Sequence, residues 1–157
     1  MFDTSNTYDY EIEQENSENI ICSFISDGIK FYVELIFRNK AISELSHYEF
    51  QTSWLGDHGI EFEDPPKSSE SNKRSNTVAL IFRDEIVPYF MSQSNTNRMV
   101  IEPTNSVRMR YFKMLVNNCV GSNVKVFDDH NEIVLIKKWY NATPWMKCVW
   151  TNYNVKK

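Results

Sequence analysis

The chain has 157 residues, of which 41% are apolar and 14% aromatic, and a formal net charge of −4. That is long enough for one domain with a true core, too apolar for a disordered chain, and without the run of about 18 apolar residues that a membrane-spanning helix needs. Cys22, Cys119 and Cys148 are odd in number and widely spaced, which excludes a disulfide framework or a paired-cysteine zinc site.

The N-terminal stretch 1–19 carries six acids and no base, and only the stretch Tyr8–Glu13 alternates. It reads as an acidic arm or an edge strand whose charge resists pairing with another chain. It does not resemble a signal peptide, and with unpaired cysteines it points to an intracellular, cytoplasmic protein.

Residues 20–38 form the clearest local pattern. Asp27-Gly28 suits a two-residue turn in which both residues take positive φ, and from Ile29 to Arg38 apolar and polar residues alternate as in a half-buried strand. A third strand is expected over 47–54. The stretch 55–76, with Gly56, Gly59 and Pro65-Pro66, reads as a long surface loop.

Apolar residues about four apart then predict a helix from about Thr77 to Met91, with Pro88 kinking or dividing it. A strand over 98–102 ends at Pro103. A helix capped by Thr104 or Asn105 follows, with Phe112, Leu115, Val116 and Cys119 on one face, and Val107, Tyr111 and Met114 expected to widen it. Two strands flanking Asp128–Asn131 make a second hairpin. If the strands before and after the second helix are parallel, they form a βαβ crossover.

The whole reads as α+β: a largely antiparallel sheet with two helices on one face, in the order β-β-β-α-β-α-β-β. Its domains are an arm over 1–19, a single α+β body over 20–139, and a Trp-rich basic tail over 140–157.

From 77 to 137 this order resembles a family of small uncharacterised bacterial and bacteriophage α+β domains, in which a strand and a Gly-Ser-Thr-like turn precede an Arg-x-Arg helix. The matching positions are Thr104, Asn105, Arg108, Arg110, Phe112 and Met114, with Pro103 in place of the glycine. The resemblance implies no assigned activity. The Asn-, Lys-, Ile- and Tyr-rich usage suits an AT-rich genome such as those of many phages, and a phage-encoded chain would be expected in the host cytoplasm or the virion.

Chemistry-bearing motifs are sparse. The three histidines are His47, His58 and His130, and no nucleophile elbow, phosphate-binding loop or dinucleotide fingerprint occurs. The acids around His58 (Asp57, Glu61, Glu63, Asp64) could hold a hard cation, or form a solvated loop; Asp128–Glu132 could be an acid–base cluster, or a polar turn. We expect no metal or cofactor.

Charge is unevenly spread: residues 1–70 carry fifteen acids and four bases, residues 71–157 six and thirteen. Either the halves complement each other internally or they present opposite surfaces to partners. Arg98, Arg108, Arg110, Lys113, Lys125, Lys137 and Lys138, with Tyr111 and the tail tryptophans, could track phosphates and stack bases. Arg108 stands out because it lies within the apolar face of its helix. It must pair with an acid such as Asp84, Glu85 or Glu102, reach water, or face a ligand.

The expected function is a non-enzymatic protein-interaction module, a structural or host-modulating protein acting on a protein partner or on its own copies, with no membrane. Its partner-binding residues are Arg108, Arg110, Lys113, Trp139, Trp145 and Trp150. The alternatives are nucleic-acid binding through the basic helix face, or a toxin-like ribonuclease using Arg108, Arg110 and His130.

Overall fold

A computed structural model describes residues 5–39, 45–103 and 105–138. Eight strands lie among them: β1 (Tyr10–Glu15), β2 (Asn19–Ser26), β3 (Ile29–Arg38), β4 (His47–Gly56), β5 (Gly59–Glu61), β6 (Arg98–Ile101), β7 (Val124–Asp129) and β8 (Glu132–Lys137). The helices are α1 (Ser71–Ile81), α2 (Val87–Ser92), joined to α1 by a π turn over Phe82–Ile86, and α3 (Ser106–Cys119). The sheet runs β1-β2-β3-β4-β6-β8-β7, antiparallel except where β4 meets β6, with β5 attached to β4 off this path.

Asp27 (φ 52°) and Gly28 (φ 76°) both take positive φ and turn β2 into β3. On the helix-covered face, Ile20, Leu35, Phe50, Ile101 and Ile133 line up across the sheet. Both helical layers pack on this face, since the Phe50 ring meets Phe82 at 5.0 Å and Phe112 at 5.8 Å, each edge-on. Offset or edge-on aromatic pairs suit the ring quadrupole and add to plain area burial. β8 is buried on both faces: Ile133 and Leu135 join the main core, while Val134 and Ile136 pack with Val100 and Phe127 on the other side.

Several expectations need correction. The sheet has two strands more than the expected order: β5, and β1, which fulfils the edge-strand reading of the N-terminal stretch. The helix begins at Ser71 and not near Thr77, so the loop before it is shorter than 55–76. Its buried positions are Arg74, Thr77 and Ile81. Two of these three are polar, so the apolar period is invisible there. Pro88 sits at the start of α2, and Val87 N–H reaches back five residues to the Phe82 carbonyl. A proline ring would clash with the carbonyl four residues back in a tight α-helix, and a π turn just upstream relieves that clash. The crossover condition is met, though not between neighbours: β8 lies between β6 and β7 and is antiparallel to both, so β6 and β7 run parallel and α3 connects them, while β4 and β6 are the hydrogen-bonded parallel pair among the described strands.

Val107 and Met114 do not widen the buried face of α3, for both are exposed. At 100° per residue, Met114 is turned 200° from Phe112, and Val107 lies beside it on the outer side with Arg110. Asn105 caps α3 by accepting the Arg108 N–H at 2.9 Å. Among the described residues no helix is long and apolar enough to cross a membrane.

Candidate functional site

Strand β4 changes partners along its length. Tyr48–Phe50 pair with β6, whereas Trp54–Gly56 pair with β5. The intervening residues Gln51–Ser53 are left without a strand on that side, and the N-terminal half of α3 stands over this split. Below it opens a mostly apolar cleft of about 450 Å³ between the sheet, α1 and α3, walled by Phe31, Trp54, Val78 and Tyr111 and bordered by the 63–67 chain. That volume lies within the range of small-ligand sites, roughly 300–1,000 Å³.

Two arginines enter it. Arg74 comes from α1, its guanidinium 4.7 Å from the Phe31 ring centre. It donates to Ser26 Oγ at 2.7 Å and the Pro66 carbonyl at 3.0 Å, and lies 3.5 Å from Asp27. Arg108 comes from α3, its guanidinium 5.3 Å from the Phe112 ring centre. It donates to Thr52 Oγ1 at 2.6 Å and to Asp64 Oδ1 at 3.2 Å. A guanidinium on an aromatic face keeps its in-plane N–H groups free to meet an anion edge-on. Arg108 also borders a second, smaller cavity of about 110 Å³ beneath Phe62 and Pro103, and so stands where the two hollows meet.

The partner of Arg108 is therefore Asp64, not Asp84, Glu85 or Glu102. Asp84 is taken by Arg83 and Glu85 by the Tyr10 hydroxyl. Across the cleft, Tyr111 Oη donates to the Ser75 carbonyl at 2.8 Å, tying α3 to α1. Burial raises the Tyr111 phenol above its ordinary range, with the Arg108 charge pulling weakly the other way.

The remaining basic residues do not gather here. Arg110 is exposed on the outer side of α3, and Lys113 pairs with Asp128. Lys137 is fully buried, its Nζ donating to the Phe90 and Gln93 carbonyls at 2.9 and 2.7 Å over the Phe90 ring. It closes the C-terminal end of α2 and is not a phosphate-tracking residue. Burial lowers its ammonium to about 8. Trp139, Trp145 and Trp150 lie outside the described residues. His130 takes φ 52° in the β7–β8 turn. Arg108 and Arg110 leave α3 some 200° apart and face different surroundings. Among the described residues no three His, Cys, Asp or Glu side chains are placed to share a metal ion.

A third hollow, polar and of about 360 Å³, lies on the far face of the sheet, among His47, Glu49, Arg98, Glu102 and Glu132. Burial and a hydrogen bond with Glu102 raise the Glu132 carboxyl, so it holds its proton to higher pH than a free glutamate.

Sequence reading missed Arg74, Thr52 and Trp54 as site residues, and saw Asp64 only as one acid of a loop. The available signal was the spacing of Arg74, Thr77 and Ile81, one stripe of a helix that begins earlier than its apolar residues do. Comparison of the chain with protein-family models, with curated proteins and with solved structures finds no match.

Proposed function

We propose that this chain is a non-enzymatic protein-interaction module whose partner inserts an apolar side chain, with an adjoining anionic group, into the cleft beneath α3. One observation carries the reading: Arg74 and Arg108, each over a phenylalanine ring, both enter a mostly apolar hollow of about 450 Å³. The apolar walls offer burial, worth about 25 cal/mol per Å² covered, and Arg108 supplies orientation. From Val107 at the cleft edge, exposed Arg110 and Met114 continue along the outer side of α3 as an apolar and basic stripe along which the contact can extend.

Nucleic-acid binding is the weaker reading. A polyanion needs several cations along one track, whereas Lys137 is buried, Lys113 is paired and the cleft carries Glu63 and Asp64.

The test is affinity capture from native cells with the wild-type chain and with Arg108→Met. A protein partner retained by the first and lost by the second, at unchanged unfolding midpoint, supports the reading. Equal retention by both removes Arg108 from the interface. Binding of labelled nucleic acid at low salt, weakening steeply as salt rises, would favour the alternative.

A further inference from the structure

Asp64 makes the one contact to Arg108 that a ligand could take over. The two donors of Arg108 differ in kind. Its bond to Thr52 is short, 2.6 Å, and anchors the guanidinium to β4. Its bond to Asp64 is longer, 3.2 Å, and comes from a single carboxylate oxygen. The Arg108 side chain is 23% exposed and that of Asp64 63%, so this pair meets solvent. Exposed ion pairs of this kind contribute little, and a carboxylate held by two parallel N–H donors binds better.

The flanks of Asp64 are held independently of it. Trp54 Nε1 donates to the Glu63 carbonyl at 2.9 Å, and Arg74 Nη1 to the Pro66 carbonyl at 3.0 Å. Pro65 and Pro66 restrict the backbone between them. Rotation of the Asp64 side chain about its own bonds therefore suffices to uncover Arg108, with no movement of the surrounding chain.

Resting on the binding function proposed above, the geometry assigns to Asp64 the part of an internal stand-in: in the free protein its carboxylate holds the place on Arg108 that a carboxylate of the partner takes on binding. The partner group is then a carboxylate next to an aromatic or large aliphatic side chain. The arginine in the other wall does not serve this exchange. Arg74 is buried and already engaged with Ser26, Asp27 and the Pro66 carbonyl.

The test titrates N-acetyl-phenylalanine and its uncharged amide into the isotopically labelled full chain, wild type and Asp64→Ala, following the Trp54 indole N–H and the Arg108 side chain by NMR. The expected result is that the acid binds the wild type more tightly than the amide does. Asp64→Ala should then tighten the acid about two- to five-fold, the factor an exposed ion pair contributes, and leave the amide unchanged. Asp64→Asn, which keeps the shape and removes the charge, should behave like the alanine variant. If the acid binds all three proteins equally, the stand-in is overturned while the cleft remains a binding site. If neither probe moves the cleft resonances of any of them, the binding function falls with it.

Discussion

Arg74 and Arg108 show how differently the same side chain can be used in one cleft. Arg74 is 7% exposed, with three polar partners and a ring beneath it. Arg74→Ala leaves Ser26 and the Pro66 carbonyl without their donor and opens a void, so a loss of about 2–4 kcal/mol in denaturant unfolding is expected. Arg108→Met removes one exposed pair and one hydrogen bond while keeping an apolar chain over Phe112, and its unfolding should shift by no more than about 1.5 kcal/mol. Lys137 offers a third case. Its ammonium is lowered from 10.5 to about 8 by burial, so between those values the unfolded chain binds more protons than the folded one. Its contribution to stability is present above pH 10.5 and is lost as pH falls through about 8. Wild type should therefore gain up to about 3 kcal/mol relative to Lys137→Met between pH 8 and 10.5, measured by denaturant unfolding at each pH.

At the scale of elements, hairpin turns and helix caps follow local chemistry closely. Gly28 sits at φ 76° with open space where a Cβ would go. Gly28→Ala therefore meets backbone strain alone, and should cost about 1–2 kcal/mol in thermal or chemical unfolding without changing the sheet register. The interrupted helix over 71–92 obeys no such simple rule. Its start is polar because Thr77 Oγ1 bonds the Lys73 carbonyl and accepts from the Tyr8 N–H, while Arg74 faces the cleft. Its middle widens into a π turn ahead of Pro88. The acidic edge strand β1 is tied to that turn by the Tyr10 hydroxyl on Glu85, and the chain beyond it by the Tyr89 hydroxyl on the Asn16 carbonyl at 2.6 Å. Burial and the Glu85 carboxylate together raise the Tyr10 phenol.

For the molecule as a whole, protection should follow the order of strands. β3, β4 and β8 each have neighbours on both sides and carry fully buried residues, whereas β1 and β7 are edges with mostly exposed side chains. Native-state amide exchange should be slowest in β3, β4 and β8 and fastest in β1, β5 and β7; uniform protection across the sheet would contradict this arrangement. The charge asymmetry between the two halves resolves in part at the cleft, where Arg74 meets Asp27 and Arg108 meets Asp64. These pairs join the acidic first half to the basic second half, and the arginine of each lines the hollow.

By itself the sequence determined the elements whose signals are local. Strands β2 and β3 with their Asp27-Gly28 turn, β4, β6, the Asn105-capped α3 and the β7–β8 hairpin all follow from alternation, helical period and turn residues over short spans. The position of Arg108 within the apolar face of α3 was legible for the same reason. Its partner was not, because Asp64 lies 44 residues away and nothing local selects it over Asp84, Glu85 or Glu102. Only the tertiary structure decided that β4 runs parallel to β6, that it passes from β6 to β5 and leaves a split, that Arg74 belongs to a buried helix stripe, and that Lys137 serves a helix end. Each of these depends on pairing and burial between distant segments, and that is where the cleft, made from β3, β4, α1 and α3, comes into existence.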